Sequence, residues 1–381
     1  MKAAITGVSS TKVGELPDST CMGLHAEASL LALEDAGLRL DEIDGLLCAY
    51  SFVEPGVLLA SGLAEYLGFT PAFASSTSMG GVTAAMLVSQ AALLVESGTC
   101  RHVLIATGDN RRTGLGNKAV GALAASGHPR YEQPYGMTVP GAYGLVARRY
   151  MHEYDLTAEH LAAIAVNQRE FARQHPLAHL QTPLTLAEVM DSRVIASPLR
   201  IHDCCPNSDG GAAVIVSAGD AAADTRQART SVLGTGQGHT HDHISAAPSL
   251  TDFGCRQSSR RAFARAGVGP GDIDVAEIYD SFTITLAVEL ESMGFFDRGS
   301  VGPAALDGAL GPGGKLPCNT HGGLLSYGHS GAAGGLFHFV EAVQQLRGTA
   351  RGYQVPDAKL AMVHGDGGIL SAHCSVILGR E

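Results

Sequence analysis

The stretch ASSTSMGGVTAAM, residues 74–86, joins a short segment typical of a strand to an alanine-rich segment typical of a helix. Two glycines, Gly80 and Gly81, stand at the junction, and the helical pattern continues to about residue 97. A side chain at this junction lies at the positive end of a helix, with no bulky neighbour beside it. The reactive groups available there are hydroxyls, with Ser78 closest to the glycines. The stretch therefore predicts a site between strand and helix that carries serine.

Helix and strand patterns alternate around this stretch. Segments 21–38 and 57–68 have helical spacing, whereas 43–50 and 102–109 have the composition of buried strands. This order favours parallel strand–helix–strand units with helices on the faces of a sheet. The alternation stops at about 110–200, a segment with predicted helices at 142–155 and 157–175, which we interpret as an insertion over the sheet.

The alternation restarts in the second part of the chain. Strands are predicted at 212–218 and 230–236, and the following segments are predicted as helix and turn (260–274), strand and helix (275–295), helix (336–348) and two strands around a glycine turn (360–379). The shared order suggests an internal duplication. We therefore predict an N-terminal half, 1–228, that includes a loop domain at about 110–200, and a C-terminal half, 229–381.

Composition limits the class of protein. The chain has 381 residues, of which 45% are hydrophobic, and a net charge of −11, which argues against nucleic acid as a partner. Its eight cysteines include no C-x-x-C pair, and the first residues lack a signal-peptide pattern, so we expect reduced thiols and a cytoplasmic location. No apolar run is long enough to predict a membrane span.

Three further segments have the features of site loops. They are EIYDSF (277–282), NTHGGLLSYGHSGAAGG (319–335) and HGDGG (364–368). Each also has a purely structural interpretation. Ser78 and Ser281 could cap helices, Tyr279 could belong to the core, His329 could be a satisfied buried imidazole, and HGDGG could be only a hairpin turn.

Taken together, these loops resemble the thiolases, and most of all the sterol-carrier-protein-x, or lipid-transfer, branch. The resemblance runs the whole length of the chain. SMGGVTAAM stands where thiolases carry their nucleophile, and GAYGLVARRYMHEYDLT (141–157) and PLRIHDCCPNSDGGAAVIV (198–216) are similar to middle segments of that branch. EIYDSF, GGLLSYGHSGAAGG (322–335) and HGDGG match its later loops.

The resemblance implies an α/β fold of five layers, αβαβα, made of two similar halves with an inserted loop domain. It also implies a homodimer and a coenzyme A thioester as substrate, with no bound cofactor. Residues 101–150 carry seven basic and two acidic side chains, which fits contact of the loop domain with the CoA phosphates.

The departures from the family concern its catalytic sulfurs. The thiolase nucleophile is a cysteine where this chain has Ser78, and the acid/base cysteine of the lipid-transfer branch is replaced by Ser281. The last loop, which supplies that cysteine in other thiolases, contains none here. A serine hydroxyl is far less acidic than a thiol and needs a dedicated base. We therefore do not expect ordinary thiolase turnover.

The retained groups suit chemistry without a covalent nucleophile. His329 and backbone N–H groups could stabilise an enolate, Tyr279 could give or take a proton, and Asp366 is another candidate acid/base. This favours retro-aldol cleavage of a β-hydroxyacyl-CoA. Similar thiolase-like proteins act as aldolases with a small OB-fold partner, which makes such a partner plausible.

The other predicted site residues would bind the thioester. By resemblance they are the small and polar residues of the four loops and one arginine of the inserted segment: Gly80, Gly81, Ser281, Asn319, Gly322, Gly323, Gly367, Gly368 and Arg148. No metal site is predicted, because the HTHDH segment (239–243) lacks completing ligands nearby.

Two other functions remain open. One is an acyltransferase, or a 3-ketoacyl-CoA thiolase, in which Ser78 is acylated with His329 as base. The other is a non-catalytic subunit with a thiolase fold that binds acyl-CoA.

Overall fold

The computed structural model describes residues 2–116 and 118–381. Their first part alternates as predicted, and the elements are β1 (Ala3–Ser10), α1 (Cys21–Ala36), β2 (Gly45–Ala49), α2 (Leu59–Leu67), β3 (Phe73–Thr77), α3 (Thr83–Glu96) and β4 (His102–Asn110). The predicted strand and helix on either side of Gly80 and Gly81 are confirmed as β3 and α3. Thr83 holds the start of α3, because its hydroxyl accepts from Met79 N–H at 2.9 Å and donates to the Gly80 carbonyl at 2.6 Å.

The inserted segment begins with a single π-helical turn, Arg111–Leu115. It continues with α4 (Lys118–Ala124), α5 (Val139–Tyr154), α6 (Ala158–Ala172), α7 (Leu186–Asp191) and a two-stranded ribbon of β5 (Val194–Ala196) and β6 (Leu199–Arg200). The predicted helices at 142–155 and 157–175 are confirmed as α5 and α6. Thr138 and Thr157 cap their N-termini by accepting from the backbone N–H groups of Gly141 and His160. The chain then returns to the large sheet.

The rest of the chain completes that sheet and its helices. The elements are β7 (Asp209–Ala218), β8 (Thr230–His239), α8 (Cys255–Ala266), β9 (Val275–Ile278), α9 (Thr283–Ser292), α10 (Val301–Leu306), α11 (Gly323–Ser326), α12 (Ala333–Arg347), β10 (Leu360–Gly367) and β11 (Ala372–Arg380). The two strands predicted around HGDGG are β10 and β11.

The strand order reveals two related halves. Nine strands are hydrogen-bonded in the order β3-β2-β4-β7-β1-β8-β11-β10-β9. Read outward from the centre, β1, β7, β4 and β2 repeat the pairing of β8, β11, β10 and β9, namely two antiparallel contacts and then a parallel one. This mirrored order agrees with the expected duplication. The exact boundary at residue 228 stays a prediction.

Two helices lie between the halves. One hydrophobic core joins α3 and α12 to side chains from strands of both halves. A second core places α1 and α2 on the outer face of the first half, and a third contains α8 and α9 together with α5 and α6 of the inserted segment. Helices, strands, central helices, strands and helices therefore follow one another, and the predicted αβαβα fold is confirmed.

Candidate active site

Tyr279 and His329 form a buried pair where the loops of the second half meet. Tyr279 follows β9, where its backbone N–H donates to the His364 carbonyl at 3.0 Å. His329 lies in the glycine-rich loop before α12. The phenol oxygen of Tyr279 is 2.8 Å from His329 Nε2, and the two side chains are 5% and 8% exposed. The structure thus brings into contact two residues that the sequence predicted for one catalytic site.

Arg111 decides which nitrogen of His329 carries the proton. Its guanidinium NH1 lies 3.2 Å from His329 Nδ1. Because a guanidinium only donates hydrogen bonds, Nδ1 must accept, and the proton of a neutral imidazole is then on Nε2. His329 therefore donates to the Tyr279 oxygen, which leaves the phenol hydrogen free to point towards a substrate.

Burial keeps both members of the pair neutral. It lowers the pKa of His329 to about 3, and the Arg111 charge acts in the same direction. Burial also raises the pKa of the Tyr279 phenol well above its usual value, with Arg111 opposing. A neutral imidazole and a protonated phenol are consequently the resting forms.

Gly81, in the first half of the chain, lies in close contact with Tyr279 of this pair. A Cβ added at Gly81 would overlap the phenol oxygen of Tyr279 and the backbone oxygen of Asp366. Gly80 has a φ of +67°, and its Cα hydrogen faces the backbone of Gly367 and Gly368. Glycine is required at both positions because the two loops approach so closely.

Ser78 lies beside this arrangement but is not part of it. It follows the edge strand β3 and is exposed. Both ring nitrogens of His329 already have partners, Arg111 on one side and Tyr279 on the other. His329 in this arrangement has no nitrogen left to serve Ser78 as a base.

Asp366 is fully buried next to this pair of residues. Its Oδ2 accepts from the Tyr143 hydroxyl at 2.8 Å, and the Tyr143 ring stacks on Phe282. Burial raises the pKa of Asp366 well above its usual value. Its predicted role as an acid/base stays a prediction, because the observed partner of its carboxyl group is Tyr143.

The residues predicted to bind the thioester hold the loops in shape. Asn319, with a φ of +56°, accepts from Ile278 N–H at 2.6 Å. Gly322 and Gly323 also have positive φ, and a Cβ at Gly323 would overlap the Asp280 carboxylate, which caps α11 through Leu324 N–H at 2.6 Å. Ser281 is 8% exposed next to Tyr279, and Arg148 is exposed on α5. Contact of these residues with coenzyme A stays a prediction.

No activated thiol accompanies the pair in the described part of the chain. All eight cysteines are free. Burial raises the pKa of Cys205, the thiol that precedes β7 near Tyr279, to about 12, and it raises the pKa of Cys204 still further. A nucleophilic cysteine needs a lowered pKa, and burial acts on both thiols in the opposite direction.

Sequence reasoning missed several groups at this site. Arg111 is separated from His329 by more than two hundred residues, and Tyr143 lies in the inserted segment. Two buried clusters of histidine and carboxylate side chains were also missed: Glu277, His321 and His338 form one, and Glu289, His364 and His373 form the other. The signal available for the second was the alternation of His364 and Asp366 along one strand, opposite His373 on the next.

Known proteins are similar to this chain over most of its length. The family model for the thiolase C-terminal domain matches residues 236–380. An acetyl-CoA acetyltransferase from Methanothermobacter thermautotrophicus is 33% identical over 97% of this chain and 98% of its own length. A steroid side-chain-cleaving aldolase from Thermomonospora curvata is 33% identical over 91% of each chain. A solved structure of an Ltp2-ChsH2(DUF35) aldolase superposes with a TM-score of 0.89 at 32% identity, covering 100% of this chain and 98% of that one.

The fold and the full-length similarity define the class: the chain belongs to the thiolase superfamily. Within it, the similarity to steroid side-chain aldolases and to sterol carrier protein 2 places the chain in the sterol-carrier-protein branch. No helix among the described residues is both long and apolar enough to cross a membrane.

Proposed function

We propose that this protein cleaves the Cα–Cβ bond of a β-hydroxyacyl-CoA in a retro-aldol reaction that forms no covalent enzyme intermediate. The observation that carries the proposal is the 2.8 Å contact between Tyr279 and His329 in a site with serines at both cysteine positions. The relatives named aldolases support the same class of reaction.

Tyr279 acts in this proposal as a proton shuttle. Breaking the bond turns the β-hydroxyl carbon into a ketone or aldehyde and leaves the electron pair on the α-carbon as a thioester enolate. The phenol gives its proton to the α-carbon and takes the proton of the β-hydroxyl group. The net result moves one proton from oxygen to carbon, and Tyr279 begins and ends neutral, which suits its raised pKa.

His329 and Arg111 support the shuttle. The Nε2–H group of His329 donates to the Tyr279 oxygen and stabilises the negative charge that passes through it. Arg111 fixes the tautomer and places a positive charge behind the imidazole. Because both groups are held by burial and hydrogen bonds before substrate arrives, little reorganisation is needed during the reaction.

The substrate would enter as a coenzyme A thioester, and no bound cofactor is required. We propose that the exposed Arg148 contacts the CoA phosphates and that the loops containing Gly80, Ser281 and Gly368 line the path of the thioester. Several other basic residues of this region are already paired within the chain, for example Arg112 with Glu15 and Arg149 with Glu153. Arg148 forms no ion pair with the described residues, so its charge is available to a ligand.

Acyl transfer through Ser78 is the second candidate, since a relative is named an acetyltransferase. It requires His329 to release Tyr279 or Arg111 in order to activate the serine. A non-catalytic acyl-CoA-binding subunit is the third candidate, and the buried, hydrogen-bonded line of Tyr279, His329 and Arg111 counts against it.

We also propose a cytoplasmic homodimer that works with a small OB-fold protein. The eight free cysteines fit a reducing compartment. Strand β3 ends the sheet with one side unpaired within the described chain, which offers an edge to a second copy. The similar aldolase of known structure is named for two components, Ltp2 and ChsH2(DUF35), which supports a partner protein here.

Product analysis tests the proposal. Branched β-hydroxyacyl-CoAs, and β-ketoacyl-CoAs with free CoA, would be incubated with the protein, with and without an OB-fold protein encoded beside it. We expect the hydroxy compounds to give a ketone or aldehyde plus a shorter CoA ester. Thiolysis of the keto compounds instead would favour Ser78 as nucleophile, and tight binding without turnover in every arm would favour the non-catalytic subunit.

A further inference from the structure

The last two strands and α9 enclose a cluster of nitrogen and oxygen acceptors beneath the active site. His364 on β10 and His373 on β11 face Glu289 on α9, and all three side chains are fully buried or nearly so. His364 Nε2 is 3.1 Å from His373 Nδ1, and Glu289 Oε1 is 3.4 Å and 3.6 Å from these two nitrogens. Three potential ligand atoms therefore converge from three elements.

The surrounding hydrogen bonds make His373 Nδ1 an acceptor and allow His364 Nε2 to be one as well. His373 Nε2 lies 3.0 Å from the Leu370 carbonyl, which can only accept, so the proton of the neutral ring is on Nε2 and Nδ1 carries a lone pair. On the other ring, Ser258 donates to the Cys255 carbonyl. When Ser375 donates to Ser258 and accepts from His364 Nδ1–H, a lone pair is left on His364 Nε2; in the other tautomer His364 Nε2–H donates to His373 Nδ1.

Buried carboxylate oxygens that accept no hydrogen bond are costly. Within residues 2–116 and 118–381, both oxygens of Glu289 lack a hydrogen-bond partner, and so does Oδ1 of Asp366, which lies 4.0 Å from His373 Nδ1. One extra proton could bridge one pair of these atoms but not all of them. A divalent cation among them would satisfy every one at once.

We propose that Glu289, His364 and His373 bind a first-row divalent transition metal, with Zn²⁺ as the best-suited ion and Asp366 as the fourth donor. Zn²⁺ prefers tetrahedral sites of imidazole and carboxylate with bonds of about 2.0–2.2 Å, which place neighbouring ligand atoms roughly 3.3–3.5 Å apart. The observed spacings bracket that value. The set of ligands is closed by protein, which is typical of a structural metal.

The position of the site gives the metal a structural role. The backbone carbonyl of His364 also accepts from the N–H of Tyr279, and Asp366 lies near the end of β10, where the backbone packs on Gly80 and Gly81. A metal here would tie β10, β11 and α9 together directly behind the catalytic pair.

The neighbouring cluster is a weaker candidate and serves as a comparison. Its Glu277 already accepts from Thr320 through Oε1, and Oε2 lies 3.1 Å from His321, an ion pair that needs no metal. His338 of that cluster is as deeply buried as His373, so His338→Asn is a matched variant. His102 on β4, bonded through Nδ1 to Ser217 at 2.8 Å, offers a second buried control.

Metal analysis of the purified protein, freed of any histidine tag, tests the proposal. We expect about one equivalent of a transition metal per chain in the wild-type protein, and less than about a tenth of that in His373→Asn and Glu289→Gln. His338→Asn and His102→Asn should keep the metal. Removing it with dipicolinate should lower the melting temperature, and adding Zn²⁺ alone should restore it.

Anomalous diffraction from wild-type crystals provides a second test that does not require any variant to fold. A peak bonded to Glu289, His364 and His373 would establish the site. Metal-free protein whose melting temperature is indifferent to Zn²⁺, or a metal retained in His373→Asn but lost in His338→Asn, would overturn it.

Discussion

The Ser78 loop and the Tyr279–His329 pair differ in whether the reactive side chain has a hydrogen-bond partner that could activate it. The first keeps the geometry of a nucleophile site, with a glycine pair at the start of a helix, yet its hydroxyl is exposed and no ring nitrogen of His329 is free to activate it. The Tyr279–His329 pair is buried and hydrogen-bonded, and the Arg111 guanidinium contacts His329 from the other side. In the proposed mechanism, the first half therefore contributes the shape of the site through Gly81, and the second half contributes Tyr279 and His329.

The largest expected effect comes from removing the phenol oxygen. Tyr279→Phe should lower kcat for β-hydroxyacyl-CoA cleavage by about 10²–10⁴-fold, because the proton shuttle is lost. The ring stays in place, so the melting temperature should change little. Steady-state assays and thermal unfolding on the same preparation check this, and near-normal kcat would remove Tyr279 from the mechanism.

A methyl group at Gly81 should disturb the close contact between the Ser78 loop and Tyr279. Gly81→Ala would push against the Tyr279 oxygen and should lower kcat by about 10²-fold, since a misplacement of about 1 Å has that effect. Gly271→Ala is the control, because a Cβ there meets no atom within 4 Å. Equal kinetics for the two variants would mean that the close approach of the loops is not needed.

Arg111 is expected to act through His329. Arg111→Gln should lower kcat by about 10–100-fold with a smaller change in KM, because a charge-assisted hydrogen bond and the fixed tautomer are lost. Arg111→Lys should recover part of the rate, since it restores the charge. A nitrogen NMR spectrum of the imidazole should show the proton on Nε2 in the wild-type protein; a proton on Nδ1 would contradict the positioning role.

The smallest expected effect is at Ser78. Ser78→Ala should change the cleavage rate by no more than about twofold, because both ring nitrogens of His329 are bonded to other groups and neither activates the Ser78 hydroxyl. Intact-protein mass spectrometry of the wild-type protein during turnover should show no added acyl group. An adduct that disappears in Ser78→Ala would instead identify a serine acyltransferase.

Sequence patterns predicted most of the fold but only part of the site. Periodicity and glycine punctuation located the strands and helices around Gly80 and after residue 229. The N-terminal strand β1 was not predicted, because its small residues lack a long apolar run although it lies at the centre of the sheet. Tyr279 and His329 were predicted individually, but their contact depends on loop geometry that spacing does not encode.

Groups supplied by distant segments could not be predicted. Arg111 reaches His329 only because a π-helical turn follows β4, and Tyr143 reaches Asp366 only because the inserted segment folds over the second half. The Glu289–His364–His373 cluster requires the antiparallel register of β10 and β11, in which Asp366 pairs with His373, together with the packing of α9 on that face. Such contacts come from tertiary structure.

One assay tests most directly whether cleavage depends on the tyrosine–histidine pair rather than on Ser78. Cleavage of a single branched β-hydroxyacyl-CoA would be followed in parallel for the wild-type protein, Ser78→Ala and Tyr279→Phe, each with its full complement of partner protein. We expect Ser78→Ala to cleave at nearly the wild-type rate and Tyr279→Phe to do so at least about a hundredfold more slowly. The reverse order, with Ser78→Ala inactive and Tyr279→Phe active, would contradict this assignment of the chemistry.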